Sequence, residues 1–212
     1  CTNISNIPAI PTLTELICTN CLYITELPAF PELVSLDCSF CHQITTISNL
    51  PKLEKLDCSK CRSLITVSGT ILKKLICNDT AIKNIPENST LEYLDCCFCS
   101  HIKYIPNLPN LTVLKCSNCR VLSSILSENI AEMNCSACDL LTFLPTMNSL
   151  IKLVFHNCKL SSFPEAHNLK MLVCRNSDFT AIPELPHLSD LDCSFSNKLT
   201  CLPSFPKLKR LF

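Results

Sequence analysis

The sequence matches itself at a shift of 19 to 20 residues along its whole length, and this period constrains the fold more than any other feature. Each unit opens on a leucine or isoleucine, at Leu13, Leu33, Leu53, Leu72, Leu91, Leu111, Ile130, Leu150, Leu169, Leu188 and Leu208. Units such as LTELICTNCLYITELPAFPE (13–32) and LEYLDCCFCSHIKYIPNLPN (91–110) follow L-x-x-L-x-C-x-x-C-x-x-L-x-x-L-P-x-L-P-x, with isoleucine standing for leucine in places. In LVSLDC (33–38), Leu33, Leu36 and Cys38 are expected to point inward with polar positions between them, which fits a short strand. A helix does not fit the remaining dozen residues, because prolines such as Pro28 and Pro31 remove amide donors and force their predecessors extended. The return leg, on which Glu32 and Lys52 are read, is therefore expected to be polyproline-like or a short 3₁₀ turn. Stacked units form a parallel sheet at about 4.8 Å per step, a rod on the order of 50 Å long.

The expected domain is one solenoid over 1–212, with about ten repeats, each covered only by its neighbours. CTNI opens at a second-cysteine position and LKRLF stops inside a strand, so the chain reads as a fragment lacking caps.

The pattern resembles the leucine-rich repeat family, whose L-x-x-L-x-L-x-x-N/C-x-L skeleton corresponds to every unit. The Pro-containing second halves (ITELPAFPE, LTFLPTMNS, FTAIPELPH) resemble the short repeats of bacterial secreted effectors and of giant-virus repeat proteins. The resemblance implies a repeat solenoid in the form of a horseshoe or arc. Its parallel β-sheet would lie on the concave face, with extended or 3₁₀ segments on the convex one. It says almost nothing about function, since repeat scaffolds bind unrelated partners.

Cys38, Cys41, Cys58 and Cys61 have the spacing of a zinc ribbon. The same spacing continues beyond them, however, so each pair would have to serve two metals. The strand column holds Cys18, Cys38, Cys58, Cys77, Cys96, Cys116, Cys135, Cys174 and Cys193, with Phe155 as substitute; Phe cannot coordinate a metal. The turn column holds Cys1, Cys21, Cys41, Cys61, Cys99, Cys119, Cys138 and Cys158, interrupted by the hydroxyls Thr80, Ser177 and Ser196. These substitutions follow packing and hydrogen bonding rather than coordination. Bridges between stacked cysteines of one column would hold β-carbons about 4.8 Å apart, beyond the roughly 3.5–4.5 Å a disulfide needs. Structural thiols are the expectation, with no metal and no cofactor. Mostly reduced thiols imply an intracellular reducing compartment, host cytoplasm or virion if the chain is viral.

Lys+Arg and Asp+Glu are balanced at 18 each, which leaves nucleic-acid and membrane-surface binding without a basic excess. The single glycine, Gly69, leaves no Gly-rich phosphate cradle. His42, His101, His156, His167 and His187 form no column, and no Ser-His-Asp order is readable, so no catalytic residue is assigned and the chain is expected not to be an enzyme. Cys97, outside both columns, is the one candidate reactive thiol, and a bystander role is the better reading.

Outward strand positions form the expected binding face. Its candidate partner-binding residues are Asp37, Phe40, Asp57, Lys60, Asp95, Phe98, Lys115, Asp192 and Phe195, with Phe40, Phe98 and Phe195 sharing one unit position. The leading functional expectation is a scaffold receiving a protein partner on this concave face. Two alternatives are a structural solenoid that self-associates into a particle or fibre, and the recognition arm of an enzyme whose catalytic domain lies elsewhere.

Overall fold

A computed structural model describes residues 3–160 and 162–212; Cys1 of the turn column lies outside them. The chain is a parallel β-solenoid whose strands stack in sequence order into one 11-stranded sheet, from Glu15–Ile17 to Arg210–Leu211. Neighbouring units pair without slippage: Leu16 opposes Leu36, Leu36 opposes Leu56, and Leu56 opposes Leu75. A one-residue slip would turn this leucine column outward, so the hydrophobic pattern enforces the register.

Each three-residue strand, such as Ser35–Asp37, turns over Cys38–Cys41, runs back through an extended leg, and turns again before the next strand. Leu33, Leu36, Cys38, Cys41, Ile44, Ile47 and Leu50 are all buried, so a unit sends a side chain inward along its whole circuit. A fully buried Leu or Ile contributes about 1.5–3 kcal/mol, and nearly all the cover comes from the units above and below.

The return leg takes the extended alternative. No helix, 3₁₀ included, occurs among the described residues, and i→i+3 bonds close single corner turns only, as from Leu33 N to Phe30 O at 3.2 Å. Short parallel ladders form on this leg at Thr46–Ile47 with Thr66–Val67 and at Tyr104–Ile105 with Ser124–Ile125. They are extended by Ser68 N to Ile47 O and Leu126 N to Ile105 O, at unit positions where Pro28, Pro86 and Pro145 have no N–H to donate. Proline therefore keeps the return leg from becoming a second continuous sheet. Glu32 and Lys52 lie in the corner turns before the strands, rather than on the return leg, and form an exposed ion pair at 2.7 Å. Where Ser127 replaces an inward apolar residue it is fully buried and satisfied, accepting from Leu108 N and donating to Pro106 O.

Candidate functional site

The sheet face carries two outward columns in register. One runs Asp37, Asp57, Ile76, Asp95, Lys115, and the other Ser35, Lys55, Lys74, Tyr93, Val113. Its chemistry is decided at the first corner, where the chain must reverse with almost no glycine. The second residue after each strand-column position has positive φ: Asn20, Phe40, Lys60, Asp79, Phe98, Asn118, Ala137, Asn157, Asn176 and Phe195, at 47° to 62°. Asn and Asp tolerate this left-handed region, whereas a bulky side chain there is strained. Three repeats nonetheless place phenylalanine in it, and Phe40, Phe98 and Phe195 are 39, 59 and 77% exposed.

The aspartates have structural work at the same corner. Asp37 Oδ1 accepts from Ser39 N and Asp57 Oδ1 from Ser59 N, both at 3.0 Å, and Asp192 Oδ1 accepts from Ser194 N at 3.2 Å. Asp95 receives Cys97 N at 3.3 Å, and Asn134 does the same for Ser136 N. These are Asx turns, in which a side-chain oxygen bonds the amide two residues on and shapes the reversal. The recurrent Asp-Cys-Ser of 37–39, 57–59 and 192–194 was the sequence signal for them.

The candidate residues fall into three groups along the solenoid. Asp37, Phe40, Asp57 and Lys60 lie together at adjacent repeats, with the Lys60 ammonium 4.5 Å from the Phe40 ring centre. Asp95, Phe98 and Lys115 form a second group around Tyr93, whose ring lies beneath both Lys74 (5.1 Å) and Lys115 (5.4 Å). A hydrogen bond with Tyr93 raises the Lys115 pKa. Asp192 and Phe195 are eight strand steps from Asp37, roughly 38 Å away. Asp192 is buried and already paired: Arg175 Nε donates to its Oδ2 at 2.7 Å, and Arg175 with Ser194 lowers its pKa to about 2. Sequence reading missed Tyr93 and Arg175, which are recognisable only once the register sets them beside a lysine and an aspartate.

The sheet face has shallow depressions of about 110 Å³ beside Val113, Glu132 and Val154 and about 210 Å³ beside Met171, Val173 and Arg210. Small-molecule pockets usually run from about 300 to 1,000 Å³. The relief suits a partner that covers area.

The inward side of the corner is a thiol array. Cys41 donates from Sγ to Cys18 O at 3.0 Å, and the same diagonal joins Cys61 to Cys38, Cys99 to Cys77, Cys119 to Cys96, Cys138 to Cys116 and Cys158 to Cys135, all at 2.9–3.1 Å. Interaction with the turn thiol, followed by burial, raises the pKa of Cys38, Cys77, Cys96, Cys116 and Cys135. Among the described residues no three His, Cys, Asp or Glu side chains are grouped to hold a metal ion. Cys97 is half-buried, and burial followed by the nearby Asp95 carboxylate pushes its pKa to about 12, which makes it a poor nucleophile at neutral pH. No helix among the described residues is long and apolar enough to cross a membrane.

Compared with protein-family models, curated proteins and solved structures, the chain matches none.

Proposed function

We propose that this chain is a leucine-rich-repeat-type scaffold whose sheet face, concave in that architecture, receives a protein partner without catalysis. The observation that carries the reading is the set of exposed phenylalanines at left-handed corner positions where Asn is the unstrained choice. Strain held at one exposed place, three times over, is explained by an external use of the ring, and exposed aromatics are the residues that anchor interfaces. Lys60 over Phe40 and the Lys74–Tyr93–Lys115 stack supply a mixed cationic and aromatic surface beside two of these anchors.

The test is affinity capture by the immobilised chain from extracts of its source cells, comparing two variants. Phe40→Asn with Phe98→Asn alters the sheet-side corner, and Lys83→Glu with Lys103→Glu alters exposed positions of the return leg. Loss of a specific partner with the first variant alone is expected. Loss with the second alone would place binding on the opposite leg, and concentration-dependent self-association without a foreign partner would replace this reading with the structural one.

A further inference from the structure

The two cysteine columns pair diagonally, and the diagonal uses each residue once. Turn-column Cys41 faces strand-column Cys18 of the preceding repeat, not its own Cys38; Cys61 faces Cys38, Cys99 faces Cys77, Cys119 faces Cys96, and Cys138 and Cys158 face Cys116 and Cys135. In each pair the turn thiol donates to the strand cysteine's own carbonyl oxygen at 2.9–3.1 Å, so its sulfur reaches across the stacking step to the other cysteine.

We propose that these six diagonal thiol pairs are disulfide-forming sites, each able to staple one repeat to the next without competing with its neighbours for a cysteine. The in-column alternative keeps β-carbons a strand spacing apart, about 4.8 Å, outside disulfide range, whereas the diagonal carries the turn sulfur across the stacking step to within 2.9–3.1 Å of the strand cysteine's carbonyl oxygen. Interruptions fall in the same diagonal frame. Cys174 faces Ser196, whose hydroxyl donates to Cys174 O at 2.9 Å, whereas Thr80, in the turn position next after Cys61, donates to Cys77 O of its own repeat at 2.8 Å and leaves Cys58 without a diagonal thiol. The one strand position without cysteine, Phe155, belongs with Ser177, so there both halves of the pair are absent together. The rungs therefore form two runs, Cys18 to Cys61 and Cys77 to Cys158.

The oxidant is a small disulfide such as oxidised glutathione. One thiolate of the pair attacks it, expelling one glutathione thiolate; the second then attacks the protein sulfur of the mixed disulfide, expelling the other. Two protein S–H bonds and one S–S bond become one protein S–S bond and two glutathione thiols, with the protons carried by the leaving groups. Because the protein sulfurs are buried, the exchange takes place during folding or local opening of a corner.

The experiment refolds the chain from denaturant in a glutathione redox buffer, blocks remaining thiols by alkylation and maps crosslinked peptides by mass spectrometry. Links Cys18–Cys41, Cys38–Cys61, Cys77–Cys99, Cys96–Cys119, Cys116–Cys138 and Cys135–Cys158 are expected, each with a mass loss of two hydrogens. Cys61→Ser should remove the Cys38–Cys61 link alone, leaving Cys38 alkylated and the other five in place. In-column links such as Cys38–Cys58, links within a repeat such as Cys38–Cys41, or no links at all would overturn the proposal, as would re-pairing of Cys38 in the variant.

Discussion

The thiol of Cys61 donates to the carbonyl oxygen of Cys38, 3.0 Å away in the preceding repeat. The strand-column thiol of the same repeat, Cys58, makes only a 3.4 Å contact with Ile76 O and is fully buried within the hydrophobic core. The two columns thus differ in kind: one sulfur fills space, and the other closes a corner by hydrogen bonding. A serine hydroxyl can do the second job, as Ser196 does on Cys174 O. Cys58→Ser should therefore cost roughly 1–3 kcal/mol, the price of placing a hydroxyl in an apolar site with a poor acceptor. Cys61→Ser should cost appreciably less. Urea unfolding of both variants under reducing conditions measures the difference, and equal losses would remove the distinction between the columns.

Phe98 has φ +62°, and the next repeat places Asn118 at the same corner with φ +61°. Replacing Phe98 with Asn relieves left-handed strain of about 1–2 kcal/mol and gives up only the packing of a side chain that is more than half exposed. We expect Phe98→Asn to raise the unfolding midpoint by an amount equivalent to about 1 kcal/mol while weakening partner capture. A destabilised variant would show that the ring supports the fold by edge packing. Phe40→Asn should gain less, since it also removes the Lys60 contact.

Much of this architecture is legible in the sequence because the repeat exposes it many times. The period, the inward leucines and both cysteine columns can be read from single residues, and the register follows once Leu36 must stay inside. Relationships between repeats are harder to read. Column alignment places Cys38 beside Cys58, yet the diagonal Cys38–Cys61 is the pair that meets, because the turn sulfur reaches back across the stacking step. The candidate aspartates read as outward residues, but their role in the corner depends on backbone that the pattern does not display. Replacing Asp37 or Asp57 would consequently perturb a turn as well as the surface, so these residues are poor probes of binding by themselves.

Asp57 tests that point directly. Its Oδ1 accepts from Ser59 N at 3.0 Å and Ser59 Oγ at 2.6 Å, and Asn134 holds the equivalent bonds from Ser136 with an amide oxygen. Asp57→Asn should be close to neutral because the acceptor survives. Asp57→Ala should cost about 1–2 kcal/mol, because it removes two hydrogen bonds, each usually worth roughly 0.5–1.5 kcal/mol, at a partly exposed corner. Thermal unfolding of the pair discriminates: equal effects would mean that charge, not the Asx turn, is what this position supplies.

The acid limb of stability should depend on Asp192. Arg175 holds its carboxyl at about 2, below the roughly 3.9 of an unfolded aspartate, so the folded state favours the ionised form. The sign follows from linkage: the contribution is fully present above the unfolded value and is lost as pH falls from about 4 through 2, where the folded-state group protonates. Because Asp192 is enclosed while Arg175 stays exposed, removing the cation leaves a buried carboxylate with only Ser194 to bond. Arg175→Gln should raise the Asp192 pKa toward or above the unfolded value and flatten or invert the slope of stability against pH between 2 and 4. Urea midpoints of both proteins across that range measure it, and an unchanged slope in the variant would show that Arg175 does not set the Asp192 charge.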